Sequence, residues 1–179
     1  MKRSLFLAIA AIALVAVPRV SSAQLGALKP IQLGIAGGAA QPMSDLKTST
    51  ELGYNGTVAM AINLPFIPVG LRVDGAYNQF GQKSGVPAKL AVASATGNVV
   101  WRLPLVGIAP YLIGGAGLYM NTADVSGTTA TDNHFGWNAG AGVNLPLGFL
   151  KAFVEARYNR VTLDNSSMEF VPVTVGSMF

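Results

Sequence analysis

Two pairs of opposite charges, Arg72 with Asp74 and Glu155 with Arg157, come nearest to chemistry in this chain. An i, i+2 spacing in an extended strand sets both members of a pair on one face. Acid or base work needs a carboxyl tuned toward neutral pH, whereas a cation two residues away lowers the pKa and suits an ion pair. The reading is therefore a structural ion network of Arg72, Asp74, Glu155 and Arg157, with Arg102 within its reach. His134 is the only histidine. A nucleophilic site around it would draw on Asp124, Ser126 and Asp132 nearby, or on Asp164, Ser166 and Glu169 from facing segments. Position 136 is Gly136, so no serine shares its face two residues on, and the histidine reads as a solvated rim residue.

The absence of cysteine excludes a thiol nucleophile, a disulfide framework, a thiolate metal site and a lipidated cysteine. One histidine and scattered carboxylates make no metal site, and the glycines sit inside strand-like segments instead of a phosphate-binding loop. No catalytic, metal-binding or cofactor-binding residue is expected.

The elements that must position these charges follow from an unusual composition. Of 179 residues 51% are hydrophobic and only 11% charged, against about 25% charged in an ordinary soluble domain. The net charge of +4 owes much to Lys2, Arg3 and Arg19, so it gives no reason to expect a nucleic-acid partner. Lys2 and Arg3, the apolar run Leu5 to Val17 and the small residues Ser21, Ser22 and Ala23 predict a signal peptide over residues 1–23, cut after Ala23. As a helix that run would reach only about two-thirds of a ~30 Å hydrocarbon core, which disfavours a retained anchor. From Gln24 to Phe179 nothing resembles a spanning helix.

An apolar chain with no spanning helix can still enter a bilayer as a closed sheet. Residues 149–160 alternate accordingly: Ala152, Val154, Ala156 and Tyr158 against Phe153, Glu155, Arg157 and Asn159. Residues 69–78 set Leu71, Val73 and Tyr77 against Arg72, Asp74 and Asn78, and residues 90–103 set Val99 and Trp101 against Thr96, Asn98 and Arg102. Residues 137–145 set Trp137, Ala139, Ala141 and Val143 against Asn138 and Asn144. Weaker strands are expected over 31–39, 54–64, 109–120 and 170–179, the third too glycine-rich for its faces to be assigned. Turns opening at Asn63-Leu64-Pro65, Arg102-Leu103-Pro104 and Asn144-Leu145-Pro146 alternate with longer polar connectors over 41–51, 79–87, 121–133 and 162–167.

These features predict an all-β, eight-stranded antiparallel up-and-down transmembrane barrel as one domain over residues 24–179. A charge on the lipid face near the midplane costs roughly 2–4 kcal/mol, so the charged face must be the lumen. Eight strands leave room only for side chains, which predicts a packed polar interior. Trp101, Tyr111, Phe149 and Phe179 are expected to form an aromatic belt at the turn end, and Tyr54, Tyr77, Tyr119, Trp137, Tyr158 and Phe170 one at the loop end. A repeat near 40 residues also suits propeller blades, but each unit has two strands where a blade needs four.

The signal peptide, the alternating strands, the run from Pro110 to Tyr119 and a last strand ending in Phe179 resemble the small outer-membrane β-barrel family, the porin-like group related to the barrel of outer-membrane protein A and to outer-membrane protein X. The resemblance implies the outer membrane of a Gram-negative cell and a barrel-assembly signal at Val171, Val173, Val175 and Phe179, although Ser177 replaces the usual bulky residue. Implied partners are outer-membrane lipid and lipopolysaccharide, with the barrel assembly machinery and periplasmic chaperones during biogenesis; the barrel is expected to be monomeric. Arg160 shares the outward parity of Tyr158 and, with Lys47 and Lys83, is a candidate contact for lipopolysaccharide phosphates. The expected role is envelope integrity or surface adhesion through the loops, without enzymatic activity. A lipid A acyl-modifying enzyme is the alternative, and a soluble ligand-binding barrel a third reading.

Overall fold

In the computed structural model, the described residues are 31–64, 67–82, 88–103, 109–125, 128–147, 150–164 and 166–179. The expected signal peptide at 1–23, together with Lys83, Ser126 and Phe149, lies outside them. Eight strands follow in chain order: β1 (Ile31–Pro42), β2 (Thr50–Asn63), β3 (Val69–Gln82), β4 (Ala88–Arg102), β5 (Ala109–Val125), β6 (Thr128–Leu147), β7 (Leu150–Thr162) and β8 (Ser167–Met178). A single helical turn, α1 (Leu46–Ser49), lies between β1 and β2. Each strand pairs antiparallel with its sequence neighbour, and β1 pairs with β8, closing the barrel. Closure satisfies the backbone without leaving an edge, the condition for a sheet in hydrocarbon.

The period-two pattern sorts the side chains as the cost of charge in lipid requires. Leu71, Val73, Val58, Val99 and Val154 point outward and are exposed, Val58 by 61%. Arg72, Asp74, Thr96, Asn98, Asn138, Glu155 and Arg157 are buried inside. A water-soluble barrel would reverse these faces. Among the described residues no helix is long and apolar enough to cross a membrane; the strands form the wall.

The strands run past several expected ends. Residues 121–133, read as a loop, are mostly strand: β5 continues to Val125, β6 begins at Thr128, and Thr122 pairs with Thr131. The β-branched residues Thr122, Val125, Thr128, Thr129 and Thr131 favour extended pairing over the loop that polarity alone suggests. The glycine-rich β5 resolves into Leu112 and Leu118 outward and Tyr111, Ile113 and Tyr119 inward.

That assignment corrects the aromatic belts. Tyr111, Tyr119 and Phe170 are buried in the lumen, whereas Trp101 and Phe179 at the turn end and Tyr54, Tyr77 and Trp137 at the loop end face outward. Trp137 and Tyr158 meet at a tilt of 52° with centroids 5.6 Å apart. Phe80 and Phe170 meet edge to face at 5.5 Å within a cluster of Ala40, Val92, Tyr119, Val161 and Met168, flanked by Leu46, Leu90 and Leu163. The lumen is therefore polar through its middle and capped by an apolar plug toward the loops.

Candidate functional site: a charged brace across the lumen

In a closed ring of eight, β3 and β7 stand four strands apart in either direction, on opposite walls. The two i, i+2 pairs sit on these strands and reach across to each other. Arg72 on β3 donates both ways, from Nη2 to Glu155 Oε1 and Oε2 at 2.8 Å each and from Nε to Asp74 Oδ2 at 3.1 Å. Arg157 on β7 answers with Nη1 to Asp74 Oδ2 at 2.8 Å, while its Nη2 and Nε serve Glu155. Each carboxylate is thus shared by two guanidiniums, and the four formal charges cancel. The forked guanidinium suits such bridging because its N–H donors are rigid and planar.

Two neutral residues complete the brace. Tyr111 on β5 donates its hydroxyl to Glu155 Oε2 at 2.8 Å, and Asn98 Nδ2 on β4 donates to Asp74 Oδ2 at 2.9 Å. Tyr111 has room because Gly142 on β6 faces its ring, where a Cβ would collide with the phenol. Arg72 also lies 5.9 Å from the centroid of Phe153. Toward the loops an amide layer follows: Asn55 Nδ2 donates to Asn78 Oδ1 at 2.7 Å and the Tyr119 hydroxyl to Asn159 Oδ1 at 2.9 Å. Alternation marks Asn98 as inward, but nothing in the sequence singles it out as a carboxylate partner. Tyr111 was hidden because its strand shows no alternation.

Arg102 is not part of the brace, which corrects its expected place there. On β4 it lies four residues toward the turn end from Asn98, the register partner of Arg72, or about 13 Å along the strand. Its guanidinium instead packs over Gly70 and donates to the Asn63 side-chain oxygen.

His134 is partly buried on the inward face of β6, in a basin lined by Asp132, Asp164, Ser166 and Ser167. Among the described residues, it makes no hydrogen bond with a serine hydroxyl or a carboxylate. Arg160 projects outward opposite Glu169, its register partner, with Nε 3.6 Å from Oε1. Ser44, whose φ of 47° marks a tight turn, donates to Glu169 Oε2 at 2.5 Å. Val173, Val175 and Phe179 face outward on and just beyond β8, and Val171 shares their parity.

A closed eight-stranded barrel with an apolar outer wall and a polar interior is the form that a small protein of the outer membrane takes. The family profile of the outer membrane protein beta-barrel domain matches residues 6–179. The chain belongs to the outer membrane protein beta-barrel domain family. Its location is accordingly the outer membrane. Solved structures agree in fold. Neisserial surface protein A is 14% identical, with a TM-score of 0.68 over 83% of this chain and 96% of that one. Ail, the attachment invasion locus protein of Yersinia pestis, solved with the heparin analogue sucrose octasulfate, is 20% identical, with a TM-score of 0.53 over 83% and 99% of the two chains. OprG from Pseudomonas aeruginosa is 13% identical, with a TM-score of 0.51 over 83% and 95%. A search of curated proteins finds no match.

Proposed function

We propose that this outer-membrane barrel serves envelope integrity and surface adhesion through its loop end, without enzymatic activity and without acting as a general diffusion pore. The observation that carries this reading is the brace: Arg72, Asp74, Glu155 and Arg157, all buried, fill the middle of the lumen beneath the plug of Phe80, Tyr119 and Phe170. A barrel closed in this way works by what its outside and its ends touch.

The loop end carries Asp45, Glu51, Asp124, Asp132, Asp164 and Glu169, against the cations Lys47, Lys89 and Arg160 and the Lys83 of the β3–β4 connector. The excess of acid suits a neutral or cationic partner and opposes a sulfated polyanion such as the one bound to Ail. Insertion of the purified protein into planar bilayers tests the reading. Wild type should show no porin-like conductance, and cells displaying it should adhere to an abiotic or host surface more than cells displaying a variant with Asp132, Asp164 and Glu169 changed to their amides. Steady porin-like conductance, or adhesion indifferent to those three residues, overturns the proposal.

A further inference from the structure

The two mouths of the barrel differ in charge. Six of the chain's eight carboxylates lie at the loop end and the other two, Asp74 and Glu155, are committed to the brace. No acidic side chain remains for the turn end, which faces the periplasm in an outer-membrane barrel. There Arg102 and Lys151 turn into the mouth by strand parity, and neither joins any ion pair among the described residues. Arg102 has one side-chain acceptor there, the amide oxygen of Asn63, for a guanidinium with five N–H donors. It is only partly exposed, so the remaining donors are turned toward limited space.

That space is a cavity of about 550 Å³, which both cations line and which falls within the roughly 300–1,000 Å³ of small-molecule sites. Its wall carries the buried apolar side chains of Val100, Tyr111, Phe153 and Met178 beside the polar Gln32, Asn63 and Asn144; Val100 and Phe153 lie two residues inward of the two cations, and Tyr111 and Met178 are the cations' register partners. Gly70 clears the place where the Arg102 guanidinium lies: a Cβ there would stand 3.1 Å from both terminal nitrogens. Apolar wall area beside a cationic rim without acidic side chains is the pattern of a site for an amphiphile with a negative head.

We propose that this mouth binds a single-chain amphiphilic carboxylate, its head on Arg102 and Lys151 and its tail against Val100, Tyr111, Phe153 and Met178. The cavity stops at Arg72, so the ligand is held on the periplasmic side of the brace and is not conducted through it. The site is independent of the adhesive role proposed for the loops.

The test is an amide-shift titration of the ¹⁵N-labelled barrel in phosphatidylcholine nanodiscs with octanoate, octanol and octylamine. The backbone amides of Val100, Arg102 and Tyr111 should shift saturably with octanoate and not with the other two. Arg102→Gln and Lys151→Gln should each weaken octanoate about tenfold, as loss of one charge-assisted contact would, and the double variant should abolish saturation. Equal saturation by octanol, no saturation by octanoate, or wild-type affinity in the double variant overturns the proposal. Lys151 is exposed, so Lys151→Gln carries the test alone if Arg102→Gln does not insert, and unchanged octanoate affinity in it is then the overturning result.

Discussion

Arg72 and Arg102 occupy the inward faces of adjacent strands, on β3 and β4, and their local sequences differ little in kind. Arg72 shares two carboxylates with Arg157 from the opposite wall, whereas Arg102 holds a neutral amide at the rim of an acid-free cavity. The difference teaches that parity selects the face and axial level selects the partner. A charge in the middle of a narrow lumen must be neutralised by protein because water is scarce there; one near the mouth can wait for solvent or a ligand.

The sharpest way to break that contrast is to unpair the brace. Glu155→Ala leaves Arg72 and Arg157 without the carboxylate they share and should cost about 3–5 kcal/mol, read as a lower urea midpoint for unfolding from vesicles. Arg102→Gln in the same assay should cost under ~1 kcal/mol, and equal losses would dissolve the distinction between middle and mouth. Next in size is a charge moved one residue onto the other face. Val154→Arg, beside Glu155 but turned to lipid, should cost about 2–4 kcal/mol, and a neutral result in that urea assay would mean that the wall does not meet hydrocarbon. Smallest is Arg160→Ala, at an exposed pair with Glu169. Its stability should move by no more than about 0.5 kcal/mol, while the lipopolysaccharide that co-purifies should fall if this cation contacts lipid phosphates; undiminished lipopolysaccharide sinks that contact.

Legibility followed the strength of alternation. Strands β3, β4, β6 and β7 announced their faces because each mixes polar and apolar side chains at period two, and their inward residues are the ones the fold buries. In β5 the glycines erase the contrast, so sequence alone places Tyr111 and Tyr119 in membrane belts although they fill the lumen. Phe170 departs from its expected belt for a related reason: an apolar residue is allowed on either face of a barrel whose interior has an apolar cap, so its type carries no signal. The 121–133 segment shows the reverse error, since polar residues outside the bilayer can remain paired as strand.

By itself the sequence determined that this chain forms a closed sheet in a membrane with its charges inward, because hydrocarbon penalises an exposed charge far more than any local preference can offset. The tertiary structure alone decided which charges meet. The Arg72–Glu155 and Arg157–Asp74 contacts join residues 83 apart in sequence, and only closure of the ring brings β3 opposite β7 at one level. The same closure leaves Arg102 and Lys151 at a mouth with no acidic side chain, an arrangement set by geometry and by where Asp and Glu fall along the strands.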